Sequence, residues 1–156
     1  MKINWIKLIV SLIICQLAGV IGSLFTASSI PTWYAALNKP SFNPPNWIFA
    51  PVWIFLYILM GISFYLIWRK SDIPNFGLLM SVFIFQLVLN AFWTIIFFGL
   101  KSPLYAFIEI VVLWVSILYC IITFYRVSKT ASVLLIPYLL WVSFAAVLNF
   151  SLWKLN

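Results

Sequence analysis

The chain has 156 residues, 66% hydrophobic and only 7% charged, where an ordinary soluble domain has roughly half and about a quarter. With a mean hydropathy of +1.17 it holds more apolar surface than a soluble fold of this size can bury, which excludes disordered, fibrous and secreted disulfide-rich classes. The formal charge of +7 comes from nine Lys and Arg that stand singly or in pairs between apolar runs, so no basic face exists to bind nucleic acid.

These features predict an all-α membrane protein, and a spanning helix needs about 20 mainly apolar residues. The first span runs Ile6–Phe25. Its basic start resembles a signal peptide, but the apolar run is long for one and Ala27-Ser28-Ser29 is a poor cleavage site, so it reads as a retained helix. Ser11, Cys15, Gly19, Ser23 and Ala27 recur every four residues along it. Small residues at that spacing permit close helix approach. The row drifts by about 40° per step and need not serve one partner. A proline-rich loop from Pro31 to Asn46 follows.

The second span is Trp47–Trp68, with Asn46 as its cap, and the third is Phe76–Phe98. Ser102-Pro103 opens the fourth, Pro103–Tyr125, as an N-cap followed by proline at the first helical position. The fifth is Val133–Trp153. Pro51 and Pro137 lie about one turn inside their helices and are expected to bend them, leaving room for a cavity. Five such spans leave about 56 residues for everything else, so residues 1–156 read as one transmembrane domain, a five-helix bundle.

Lys2, Lys7, Arg69, Lys70, Arg126 and Lys129 flank one side of these spans, and Lys39, Lys101 and Lys154 the other. By the positive-inside rule this places the N-terminus inside and the C-terminus outside. The short N-terminus favours a prokaryotic cell membrane over an organelle. Cys15 and Cys120 fall within apolar runs, which argues against a disulfide framework. The absence of histidine removes His-based metal sites and the usual general base, and no metal site or required cofactor is expected.

Nine of the residues are tryptophan. Trp5, Trp33, Trp47, Trp68 and Trp153 sit at span ends, as an interfacial belt requires. Trp53, Trp93 and Trp141 do not. By helix rise, Trp53, Asn90 and Trp93 lie about 10 Å deep and Trp141 nearer the middle. Phe49, Trp53 and Tyr57 share one helical face, as do Gln86, Asn90, Trp93 and Phe97. Trp141, Ala145 and Leu148 form a third, flanked by Phe144. These faces suit either a cavity for a flat, mostly apolar ligand or ordinary packing around buried aromatics. Glu109 is the only acidic residue inside a span, where a carboxylate is usually functional or paired. Both a pairing with Lys101 and a protonated, hydrogen-bonded form are open to it.

Trp33-Tyr34-x-x-Leu37-x-Lys39-Pro40-x-Phe42-x-Pro44-Pro45-x-Trp47-x-Phe49-x-Pro51-Val52-Trp53 closely resembles the signature of the TspO/MBR family, the tryptophan-rich sensory proteins and translocator proteins. Asn90-x-x-Trp93-x-x-x-Phe97-Phe98 and Pro137-Tyr138-x-x-Trp141-x-x-Phe144-Ala145-x-x-Leu148-Asn149 agree with it, so the resemblance covers essentially the whole chain. It implies a five-helix bundle binding porphyrins, notably protoporphyrin IX, and similar amphipathic molecules, with a transport or sensing role. Trp53, Asn90 and Trp141 match polar or aromatic contacts of the family's cavity, and Tyr34, Phe49, Tyr57, Trp93 and Ala145 its other walls. Some bacterial members degrade protoporphyrin IX in light, and the tryptophans matching Trp53 and Trp141 are implicated there. The resemblance also bears on a C-terminal cholesterol motif. Phe150 stands where its tyrosine would be, which argues against sterol recognition.

The first loop is expected to act as a stiff lid. Trp33 and Phe42 would cover apolar ligand surface, and Lys39 would meet a carboxylate at the water boundary. Membrane lipid surrounds the bundle, and a homodimer is left open.

Overall fold

The computed structural model describes residues 3–156, so Lys2 lies outside the described residues. Helix α1 runs Trp5–Ser29, α2 Asn46–Trp68, α3 Phe76–Thr94, α4 Pro103–Tyr125, α5 Lys129–Val133 and α6 Ile136–Leu155. The described residues form no strand. Five helical segments are long and apolar enough to cross a membrane, which makes this an integral membrane protein of the five-helix type.

Three boundaries depart from those expected, and prolines explain two of them. The first helix does not stop near Phe25: it continues to Ser29 and then winds through a π-helical turn, Ile30–Tyr34. Pro31 cannot donate to the carbonyl four residues back, and a wider turn lets the chain stay helical around its ring. The first loop therefore shrinks to about residues 37–45. Pro137 does not bend the last helix from inside. It sits in the first turn of α6, where its missing N–H costs nothing. The residues before it form the short helix α5 instead. Ser128 caps α5 by accepting from the Ala131 N–H, while Ser63 Oγ donates to Ala131 O at 2.7 Å and Ser132 Oγ to Ile121 O at 2.8 Å. The third boundary is α2, where Pro45 rather than Asn46 occupies the capping position. Ser102 does precede Pro103 as the N-cap of α4, without a side-chain bond.

The helices close into a ring in which α1 packs on α2 and α3, α3 on α4, and α4 on α6, while α2 and α6 touch only slightly. Glycine sets the α1–α2 approach. A Cβ on Gly61 would stand 2.9 Å from Leu12 Cα, and one on Gly19 2.5 Å from a ring carbon of Tyr57. No larger residue fits at either crossing without moving a neighbour. The row of small residues on α1 winds as expected: Ser11 and Cys15 are buried, whereas Ser23 and Ala27 are exposed.

The core fills the ring at the end nearer the N-terminus. Phe64, Phe83 and Phe124 stack in series, with centroids 4.6 and 6.0 Å apart. Cations collect around that end. Lys7 Nζ donates to Trp68 O, Lys70 Nζ to Val127 O, and Arg69 and Lys129 lie over Tyr65 and Tyr125. At the opposite end, α3 finishes in a π-helical turn, Ile95–Gly99, and Lys101 takes a left-handed φ of 52° to start α4. Trp5 and Trp47 are 62% and 73% exposed near helix ends, as anchors in an interfacial belt are.

Candidate functional site

Because α2 and α6 barely meet, the half of the ring nearer residues 37–45 is not filled by side chains. It holds a cavity of about 490 Å³, within the range of roughly 300–1,000 Å³ usual for small-molecule sites. None of its lining residues is charged.

The aromatic wall comes from α2, α3 and α6, at the helical spacings that bring distant residues to one side. Phe49, Trp53 and Tyr57 line it from α2, Trp93 and Phe97 from α3 and its π turn, and Trp141, Ala145 and Leu148 from α6. The rings hold one another in place. Phe49 meets Trp141 edge-on at 6.1 Å, Trp53 stacks on Tyr57 at 5.5 Å, and Trp93 stacks on Phe97 at 5.2 Å. Such pairs add about 0.5–1.5 kcal/mol each beyond their burial and fix the orientation of the wall.

Two amides clamp this wall, Asn90 from behind it and Asn149 from within the lining. Tyr57 Oη donates to Asn90 Oδ1 at 2.6 Å, and Asn90 Nδ2 donates to Tyr138 Oη at 3.0 Å. Trp93 Nε1 donates to Asn149 Oδ1 at 3.0 Å, and Asn149 Nδ2 to Pro103 O at 2.7 Å. Each amide thus ties three helices, Asn90 joining α2, α3 and α6 and Asn149 joining α3, α4 and α6. Each satisfies groups that would be expensive to leave unpaired in a low-dielectric interior.

Seven of the expected wall residues therefore come together: Tyr34, Phe49, Trp53, Tyr57, Trp93, Trp141 and Ala145. Asn90 does not join them. It is 2% exposed, and its amide is committed to the two tyrosines behind the wall.

The lid residues also stand elsewhere than expected. Lys39 folds back on the end of the first helix, where Nζ donates to Ala35 O and Leu37 O and lies 5.0 Å from the Tyr34 ring. The carbonyls at a helix C-terminus attract a cation, and that attraction takes Lys39 off the cavity. Trp33 packs edge-on against Phe97 and Phe98 at 5.4 and 6.4 Å. Phe42 meets Phe144, which leans on Trp141. Both support wall residues from outside rather than lining the cavity.

What holds the loop in place is polar. Tyr34 Oη donates to Asn43 Oδ1 at 2.7 Å, and Asn38 and Asn156 exchange two hydrogen bonds, with a third from Asn38 Nδ2 to Leu155 O. The loop is clasped both to the cavity wall and to the end of α6.

The contribution of α1 was not foreseen. Gln16, Gly19, Gly22, Ser23 and Thr26 form a narrow, small-residue side of the cavity, and α1 lies across the ring from α6. The four-residue recurrence of small side chains marked that helix, but packing alone explained it. Glu109 forms neither of the pairings open to it: both carboxylate oxygens are buried without a hydrogen bond, as is the amide of Gln86.

The TspO/MBR family model matches residues 11–154. The tryptophan-rich protein TspO of Archaeoglobus fulgidus is 44% identical over 153 residues, covering 98% of this chain and 99% of that protein. The protein of the same description from Chlorobaculum tepidum is 45% identical over 147 residues, covering 92% of this chain and 91% of its own length. The translocator protein of Homo sapiens is 35% identical over 143 residues, covering 87% of this chain and 82% of its own.

Proposed function

The chain belongs to the TspO/MBR family, and from that premise we propose that it binds tetrapyrroles of the protoporphyrin IX type, and amphipathic molecules of similar shape, in the cavity between its helices. The observation that carries this reading is the shape and chemistry of the walls. Three tryptophans face a side built from glycine and serine, with no charged residue between them. A flat apolar macrocycle gains aromatic contact on one side and a surface of small side chains on the other. The rings are already locked against each other, so binding orders few side chains and loses little entropy. Carboxylates on the ligand would stay at the end nearer residues 37–45, the end closer to the membrane surface. Carriage of the ligand across the membrane, or sensing of it, would use the same site.

A second reading makes the same cavity a light-dependent porphyrin-degrading site. In its favour, Trp53 and Trp141 both line the cavity, so both indoles would touch a bound pigment. Purified protein titrated with protoporphyrin IX in darkness should quench tryptophan fluorescence saturably at one pigment per chain. Quenching that rises linearly without a plateau removes the binding reading. Repeating the incubation in light separates the two: loss of pigment absorbance with a new product favours the enzyme, and unchanged pigment favours the binder.

The distribution of cations supports an orientation with the N-terminus inside and the C-terminus outside. Reporter fusions at the two ends should place them on opposite sides of the membrane. Both reporters on one side would mean that one of the five apolar helices does not cross.

A further inference from the structure

The cavity is not equally closed on all sides. Toward the N-terminal end α1 and α2 are in tight contact, at Gly61 against Leu12 and at Gly19 against Tyr57. The amide of Gln16 bridges them there, donating to Ile54 O at 3.3 Å. Beyond that bridge the helices diverge. Val20 on α1 and Ile54 on α2 both line the cavity, and yet are 55% and 54% exposed. Ser23 on α1 and Ala50 on α2, one turn further along, are likewise both cavity-lining and exposed. Exposure of half or more at cavity-lining residues on both helices marks the edges of an opening, and the two helices supply facing edges.

That opening faces lipid. The same turns of α1 and α2 carry Leu17, Ile21, Leu24, Phe55 and Ile58, exposed apolar residues of the kind that meet hydrocarbon. The hydroxyls at its edge present no free donor to passing molecules. Ser23 Oγ donates to Val20 O at 2.7 Å and Thr26 Oγ1 to Ser23 O at 3.2 Å, so both are satisfied by their own helix. Asn46, at the start of α2, also lines the cavity and is exposed, so the opening runs along α2 up to the loop, while Asn38–Asn156 and Tyr34–Asn43 clasp the loop itself across the ring.

We propose that the cavity is loaded from the bilayer, through the slot between α1 and α2 edged by Val20, Ser23, Ala50 and Ile54. This rests on the reading of the cavity as a tetrapyrrole site and narrows its ligands to molecules that dissolve in the membrane. A porphyrin with an apolar body and few carboxylates can take this route. One with a carboxylate on every side cannot, because each would have to be desolvated in hydrocarbon.

The test is kinetic, on protein reconstituted in phosphatidylcholine vesicles, with protoporphyrin IX as the probe. Ala50→Trp, which narrows the slot, should slow association and dissociation together, each by about tenfold or more. Ile54→Ala, which widens it at an exposed position with little risk to folding, should speed both. Pro40→Gly with Pro44→Gly, which loosens the loop, should change neither. The proposal is overturned if the slot variants leave both rates at the wild-type values, or if the loop variant is the one that accelerates exchange. Absence of saturable binding in the wild-type protein overturns the tetrapyrrole reading itself and this route with it. Rates insensitive to the slot with binding intact overturn the route alone.

Discussion

Replacing Trp141 with alanine is expected to lower the affinity for protoporphyrin IX by roughly 5–150-fold, the equivalent of about 1–3 kcal/mol of buried aromatic contact. Trp5→Ala should leave the affinity unchanged. The two tryptophans differ in place rather than in chemistry. Trp141 lines the cavity on α6 and braces Phe49 at 6.1 Å and Phe144 at 5.4 Å. Trp5 begins α1 at the far end of the molecule and is 62% exposed. The loss at Trp141 has two sources, the contact itself and the freedom given to Phe49 once its edge-on partner is gone. Fluorescence-quenching titrations of the two variants measure the difference, and equal affinities would remove Trp141 from the site.

Asn90→Leu should destabilise the bundle by about 2–6 kcal/mol, because two buried hydroxyls lose their partner and each costs roughly 1–3 kcal/mol unpaired. Leucine nearly matches asparagine in shape, so the loss is polar and not a cavity effect. Tyr138 is fully buried and Tyr57 is 5% exposed, and neither hydroxyl can turn to water. The signature of this cause is its cure. Adding Tyr57→Phe and Tyr138→Phe to Asn90→Leu removes the orphaned groups and should recover much of the lost stability in thermal unfolding. If the triple variant is instead less stable than the single one, the amide is not acting through the tyrosines.

The Asn90 result shows what a helical pattern can and cannot convey. Spacing correctly put Gln86, Asn90, Trp93 and Phe97 on one face of α3, turned to the interior. Within that face Trp93 and Phe97 reach the cavity while Gln86 and Asn90 are buried below it, because the neighbouring helices converge toward the N-terminal end. A period of 3.6 residues gives direction from the axis and is silent on where neighbours part. The tryptophans were legible for a different reason. A span end and a span interior impose opposite demands on an indole, which set Trp53, Trp93 and Trp141 apart from Trp5 and Trp47. Depth is not sufficient, since Trp114 is also inside a span but donates Nε1 to Ser143 Oγ and does not line the cavity.

The first helix was the least legible element. Gly19 and Ser23 line the cavity and Gly19 also seats the Tyr57 ring, two roles that ask for the same small residue types. The first span was read as ending at Phe25 and Pro31 as opening the loop, although proline forbids only the ordinary backbone bond. A π-helical turn satisfied that constraint without ending the helix. Lys39 illustrates a third limit. A lone cation near a ligand site suggests an anion partner, but the nearest uncompensated charge was the carbonyl end of its own helix.

The central claim is that a tetrapyrrole sits between the aromatic wall and the small-residue side of α1. The most direct measurement is a structure of the protein in a lipid bilayer with protoporphyrin IX bound. One macrocycle per chain is expected, its faces against Trp53 and Trp141 on one side and against Val20 and Ser23 of α1 on the other. Its carboxylates should point toward residues 37–45. Pigment density confined to the outer surface of the helices, with this cavity filled by side chains or lipid, would contradict it.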